Sequence, residues 1–251
     1  KADFECKKLI LATGSNPKIW NVLKTLGHTI VPAVPSLFTF NSNDSRLKSI
    51  PGIVAQNVHI QVLGTNLSSS GPLLVTHSGL SAPAILKLSA YGAIELAKLN
   101  YKFKIQINFI QQDSAACLQF LGNQKLESVK KLVRKTPLFS IPKRLWEQLV
   151  EASKIEKNLR WAEVTKIQLQ NLVKQLTSAV FEVDGKSTFK EEFVTAGGLD
   201  LKEINFKTYE SKRFKNLFFA GEILNIDGVT GGFNFQNAWT SAYIAAQELS
   251  K

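Results

Sequence analysis

Asn216-Leu217-Phe218-Phe219-Ala220-Gly221-Glu222 runs through Ile223-Leu224-Asn225-Ile226 into Asp227-Gly228-Val229-Thr230-Gly231-Gly232 and then Phe233-Asn234-Phe235-Gln236-Asn237-Ala238-Trp239. The short apolar run stopped by glycine predicts a buried strand with a turn at its carboxyl end. Helical spacing follows from about Asn234 to Leu249, and Ala238, Ala242, Ala245 and Ala246 are small enough for that helix to lie close on a sheet. Strand, glycine-rich loop and helix start make an order suited to anions. Unpaired N–H groups and the positive dipole end sit at a helix N-terminus, and glycines let backbone approach a ligand closely. The same glycines also suit a purely structural turn.

Working outward, Leu9 to Ala12 is a second continuous apolar run, stopped by Thr13-Gly14-Ser15-Asn16-Pro17. It reads as a strand covered on both faces. A short helix carrying Ile19, Trp20, Leu23 and Leu26 follows, with Gly27 as its stop. After Pro32 and Pro35 the period becomes two: Val58, Ile60 and Val62 alternate with polar residues, as do Phe103, Ile105, Ile107 and Phe109. Between these strands a helix opens at Ser81-Ala82-Pro83 and is interrupted near Gly92. From Asp113 to Thr177 the period is helical, with Leu126, Val129, Leu132 and Val133 on one face and Leu145, Trp146, Leu149 and Val150 on another. Ser140-Ile141-Pro142 and Thr165 supply caps. Alternation returns from Ala179 to Val183, so the helices read as inserted within a β-rich unit. The class is α/β with inserted β-rich and helical parts.

The 251 residues carry a formal charge of +11. Between Gln124 and Lys174 we count 12 Lys/Arg against 5 Asp/Glu, interleaved with apolar residues as on solvated helix faces, so nucleic acid is not the expected partner. No run approaches the roughly 18 apolar residues of a membrane span, and no secretory signal pattern is present; the expectation is a cytoplasmic protein. Cys6 and Cys117 lack the spacing of a metal site and read as buried or incidental thiols. Methionine is absent and the chain opens almost directly on a strand, which reads as part of a longer protein.

Five ordered stretches, 9–20, 26–40, 71–90, 185–212 and 216–246, resemble the bacterial NAD(P)/FAD-dependent oxidoreductases of the aminoacetone oxidase-like (YhiN-type) family, some of which reduce bile-acid double bonds. The resemblance implies a partial, Rossmann-like FAD-binding domain interrupted by a β-barrel-like insert and a small helical subdomain. The implied parts are 1–34 (FAD-binding), 35–110 (β-rich insert), 111–177 (helical), 178–195 (return of the β-rich insert) and 196–251 (FAD-binding). It also implies a small-molecule substrate and NAD(P)H as reductant. Family members begin with a βαβ unit whose GxGxxG loop holds the FAD pyrophosphate, and none of the 15 glycines here makes that spacing. The expectation is a chain that holds FAD poorly without that unit. A non-catalytic module whose basic helices bind an acidic partner is the alternative.

Carried over by motif, Gly14 is backbone close to the cofactor, and Gly221 and Glu222 border its ribityl and pyrophosphate region. Asp227 and Gly231 belong to the loop, while Gly232, Phe233, Asn234, Phe235 and Gln236 frame the isoalloxazine ring mostly through backbone groups. Glu222 also suits a capping carboxylate, and Phe233, Phe235 and Trp239 also suit a core. His77, in Thr76-His77-Ser78-Gly79, is the candidate proton donor, against an ordinary structural role beside a helix start. His28 and His59 have weaker claims. No Ser/His/Asp set or metal cluster is evident.

Overall fold

The computed structural model of the protein describes residues 4–187 and 194–251, so part of the 185–212 motif lies outside the described residues. In chain order, β1 (Leu9–Leu11), α1 (Pro17–Thr25) and β2 (Ile30–Ser36) lead to β3 (Phe40–Asn41) and α2 (Ser45–Lys48). Next come β4 (Val54–Val62), β5 (Ser68–Val75), β6 (Gly79–Ser81), α3 (Pro83–Tyr91), α4 (Ala93–Lys98) and β7 (Lys102–Asn108). The helices α5 (Ser114–Glu127), α6 (Lys143–Ala152) and α7 (Lys166–Thr177) precede β8 (Ala179–Asp184). The chain ends with β9 (Val194–Leu199), β10 (Ile204–Asn205), β11 (Glu210–Ser211), β12 (Leu217–Phe219) and α8 (Phe233–Leu249). It divides into two compact units, one made of Lys1–Leu37 with Lys190–Lys251 and the other of Phe38–Phe189.

In the central unit the period-two strands form a six-stranded antiparallel sheet, ordered β3-β6-β5-β4-β7-β8. Past β8 the chain returns to β3: Asn41 N–H donates to the Gly185 carbonyl at 3.0 Å, and Phe40 bridges Lys186. The sheet is thereby a nearly closed barrel. Register pairs Ile60 with Ile107 and Ile105 with Phe181, all at most 1% exposed, so alternation sends one face inward. A cavity at such a site costs about 2–5 kcal/mol, so Ile60→Ala is the single change that most directly weakens the barrel. Pro83 opens α3, and Gly92 separates it from α4.

The helical part follows its apolar spacing except at one place. Leu145, Trp146, Leu149 and Val150 are buried, and Trp146 Nε1 donates to the Val133 carbonyl at 2.9 Å. Thr165 caps α7 with a reciprocal bond to Gln168. The face expected from Leu126 to Val133 does not form. Helix α5 ends at Glu127, leaving Leu126 76% and Val129 47% exposed, while Val133 is buried from a short 3-10 turn. Ser140 is no cap: α6 starts at Lys143 with Pro142 at the N-cap position and no side-chain cap bond.

In the other unit, β1 pairs in parallel with β12, Leu9 opposite Leu217 and Leu11 opposite Phe219, and β11 and β10 extend the sheet antiparallel. Asn16 caps α1 through its side chain, and Gly27, at φ +93°, follows the helix end. The core gathers Trp20, Leu23, Leu199, Phe218, Phe219, Ile223, Leu224 and Ala245. A separate ribbon pairs β2 with β9. Gly198 in β9, at φ +123°, lies where an added Cβ would meet the Ile223 carbonyl oxygen at 2.8 Å, so only glycine lets that segment pack against the ribbon. Two expectations need correction. Strand β1 is not covered on both faces: Leu9 is 46% exposed, because β1 is an edge strand whose far side has no strand partner among the described residues. Ala246 is exposed, so the close contact of α8 rests on Ala245 and on Ser241.

Candidate functional site

Strands β1 and β12 run in the same direction, and both end where the chain turns on glycine. Ala220 N–H donates to the Leu11 carbonyl at 3.0 Å, which holds the two carboxyl ends together. In sheets of this kind ligands bind outside those ends. Here the space is a cavity of about 510 Å³, bordered by Ala12, Gly14, Val194, Ala220, Gly221, Glu222, Val229, Thr230, Gly232, Asn234, Phe235, Ala238 and Ala242. Its wall consists mainly of small residues, glycine and alanine above all, so the room comes from missing side chains.

Gly221 joins strand to helix. At φ +74° it adopts a conformation that costs other residues about 1–2 kcal/mol, and its N–H donates to Ser241 Oγ at 2.9 Å. From α1, Trp20 Nε1 donates to the Ile223 carbonyl at 2.9 Å, fixing the 3-10 turn that carries Glu222. The Glu222 carboxylate borders the cavity and makes no hydrogen bond or ion pair among the described residues, which leaves its oxygens able to accept from a hydroxylated ligand.

Helix α8 begins without a capping side chain. Its N-cap, Gly232, is left-handed at φ +87°, the first turn holds no acidic residue, and the first helical bond is from Gln236 N–H to the Gly232 carbonyl. The N–H groups of Phe233, Asn234 and Phe235 thus have no partner among the described residues, and the positive end of a 17-residue helix stands beside the cavity.

Of the ten positions expected around a cofactor, Gly14, Gly221, Glu222, Gly232, Asn234 and Phe235 border this cavity. The others have different surroundings. Asp227 Oδ2 accepts from Ser36 Oγ at 2.7 Å, tying the loop to β2. Gly231 packs beneath Phe233, which is 58% exposed, and Gln236 Nε2 donates to Thr240 Oγ1. Trp239, 68% exposed, is not a core aromatic; it lies on the outer face of α8 beside Phe235. Sequence reading missed Ala12, Val194, Ala220 and Val229, whose side chains are purely apolar, and Thr230, which brings a hydroxyl to the wall. His77 stands exposed in the turn joining β5 to β6, in the barrel unit.

An unforeseen line of side chains joins Ser211, His28 and Glu203. His28 Nδ1 donates to Glu203 Oε2 at 2.6 Å, and Ser211 Oγ is 3.4 Å from His28 Nε2. Its surroundings make it a lock. Ser211 is buried and already accepts N–H bonds from Arg213 and Phe214, while Arg213 pairs with Glu203 at 3.0 Å. Burial pushes the Glu203 carboxyl up, but bonds from His28, Thr29 and Arg213 outweigh it and bring the pKa down to about 2. Among the described residues no three His, Cys, Asp or Glu side chains converge on a metal position, and no helix is long and apolar enough to cross a membrane.

Residues 34–194 match the family described as HI0933-like protein barrel and H2TH domain. The chain is 32% identical to the ribosomal RNA dihydrouridine synthase of Haemophilus influenzae, the match covering 99% of this chain and 61% of that protein. It is 28% identical to the Escherichia coli protein of the same name, over 97% of this chain and 61% of the relative. A 3-dehydro-bile acid delta(4,6)-reductase of Clostridium scindens is 25% identical over 99% of this chain and 63% of its own length. The chain thus spans less than two thirds of these relatives. The match over most of its length, barrel and helices included, makes the chain a member of the HI0933-like flavoprotein family.

Proposed function

We propose that this chain is part of an FAD-dependent reductase that saturates a carbon–carbon double bond polarised by a carbonyl, with NAD(P)H as the electron source and uridine in ribosomal RNA as the substrate. The observation that carries the reading is the cavity at the carboxyl ends of β1 and β12, bordered by the uncapped start of α8, whose first turn holds no acidic residue. These residues suit a flavin. Glycine and alanine make room for a flat ring, and the α8 N-terminus favours negative charge on it. When bound, FAD supplies hydride acceptance from the nicotinamide and hydride delivery to the substrate.

The chain's own residues bind and orient. Gly14 and Gly221 would offer backbone at close approach, Glu222 would accept hydroxyl bonds, and the start of α8 would favour negative charge on the flavin. Asp227, Gly231, Phe233 and Gln236 hold the loop and the helix entrance. His77 is proposed to supply the proton that joins the second carbon; His77→Gln should lower kcat by about 10²–10⁴-fold with the flavin spectrum unchanged. The proposal places the pyrophosphate on a GxGxxG-bearing βαβ unit in the full-length protein, and a cytoplasmic setting goes with it.

RNA is preferred here to the small molecule expected from the sequence because two relatives are named for ribosomal RNA. The bile-acid relative favours a small enone as the second reading. Purified full-length protein should show flavin absorbance that NAD(P)H bleaches, and should convert uridine to dihydrouridine in unmodified ribosomal RNA. No flavin in the isolated or reconstituted protein would sink the reading and leave the non-catalytic, acid-binding module in its place.

A further inference from the structure

The helical part carries a cationic surface that the core does not explain. Two segments, 129–133 and 159–162, each running into a short 3-10 turn, lie antiparallel. Val133 N–H donates to the Leu159 carbonyl at 3.1 Å, Trp161 N–H to the Lys131 carbonyl at 3.0 Å and Ala162 N–H to the Val129 carbonyl at 3.3 Å, with Leu132 bridged to Arg160. Val133 and Trp161 are wholly buried and anchor this ladder from beneath. Along it and the turns at its ends stand Lys130, Lys131, Lys135, Lys157 and Arg160, all exposed and none in an ion pair among the described residues.

The neighbouring carboxylates offset that charge only in part. Glu147 and Glu151 share Arg134, Glu163 accepts the Arg160 backbone N–H and stays charged, and Glu127 and Glu156 are the other acids, against 12 Lys/Arg between Gln124 and Lys174. Beside the cations, Leu126 and Val129 are exposed apolar side chains that neither α5 nor the core uses. A pinned backbone holding five cations next to apolar groups suits a polyanion that also presents bases and sugars.

We infer that this ladder is an RNA-docking surface that holds ribosomal RNA by its phosphates; the inference rests on the RNA reading of the substrate given above. Five phosphate contacts predict that log K falls with log salt at a slope of about −3.5 for single-stranded RNA.

The test uses the full-length protein and fluorescein-labelled transcripts of ribosomal RNA domains, with anisotropy read across a salt series. The double variant Lys131→Glu/Arg160→Glu should bind at least tenfold more weakly and with a shallower slope, while its melting curve and flavin absorbance stay as in the parent. The milder Lys131→Gln/Arg160→Gln pair should fall between. A control reversal at Lys98 and Lys207, outside this surface, should leave binding unchanged. Parental binding by both ladder variants, or equal loss in the control, overturns the inference. Equal competition by duplex DNA or by poly-glutamate also overturns it, the latter in favour of an acidic protein partner. Absence of flavin counts against the reductase reading alone, because RNA affinity is read separately.

Discussion

Asn234 holds Gly228 with both ends of its amide: Oδ1 accepts the Gly228 N–H at 2.7 Å, and Nδ2 donates to the Gly228 carbonyl at 3.1 Å. A residue in the first turn of α8 thereby folds its preceding loop back over the helix start. The side chain is committed to this clamp, so its part in the proposed flavin site would be to hold the uncapped start of α8 in place. Asn234→Ala should cost about 1–3 kcal/mol locally, because two hydrogen bonds go at once. Full-length protein carrying the change should retain flavin at least tenfold more weakly, read by flavin fluorescence, with little loss of circular dichroism.

Gly221 and Ser241 make the corresponding contact on the strand side. Ser241→Ala leaves the buried Gly221 N–H without an acceptor, at a cost of about 1–3 kcal/mol. Gly221→Ala adds strain at φ +74° and sets a methyl 3.6 Å from Ala238 Cβ, an ordinary contact, so its cost is the strain alone, about 1–2 kcal/mol. Thermal melts should rank both variants below the parent.

The Glu203 lock has a pH signature. The Glu203 carboxyl stands at about 2 in the fold against an ordinary 4.5, so the folded state favours the ionised form. Its contribution is complete well above 4.5 and is lost as the pH falls from 4.5 toward 2. Glu203→Gln should remove about 3 kcal/mol at neutral pH by leaving the buried His28 and its neighbours without their charged partner. In urea melts, the gap between parent and variant should close as the pH drops through that window; a gap constant with pH would show that Glu203 does not titrate this way.

Local order was legible in the sequence wherever period and glycine agreed. The alternation of Val58, Ile60 and Val62, the stop at Gly27 and the Thr165 cap all describe neighbours within a few residues, and the structure keeps them. What was not legible depended on distant partners. His28 meets Glu203 and Ser211 across the whole inserted barrel unit, and nothing near residue 28 signals it. Leu126 and Val129 looked like a helix face because apolar spacing does not tell core from exposed surface once a helix has ended. The exposure of Leu9 reflects sheet order, which an apolar run alone leaves unspecified. In the site, the glycines and Asn234 could be found from the loop motif, whereas Ala12, Val194 and Val229 matter only as small shapes in a wall.

Cysteine chemistry separates the two thiols. Cys117 is fully buried, and burial, with Asp113 nearby, pushes its thiol up to about 12; Cys6 is exposed. A thiol reagent at pH 8 should label one cysteine quickly in the native protein and the second only after denaturation. Rapid labelling of both would mean that α5 opens readily.

The alanines of α8 have two possible reasons to be small, and they can be told apart. Ala245 is wholly buried in the core against the sheet, so its size is a packing requirement. Ala242 borders the cavity and is only half-buried, so its size leaves room for a ligand. Ala245→Leu should therefore lower stability by about 1–3 kcal/mol through overpacking. Ala242→Leu has space to enter, and should leave the melting temperature nearly unchanged while sharply reducing flavin retention. If Ala242→Leu instead destabilises the protein and keeps its flavin, the cavity is packing slack and the α8 amides face solvent. The opposite pattern, a stable apoprotein that no longer takes up flavin, would tie the alanine wall to the cofactor more directly than any loss-of-stability variant, because the only thing removed is empty space.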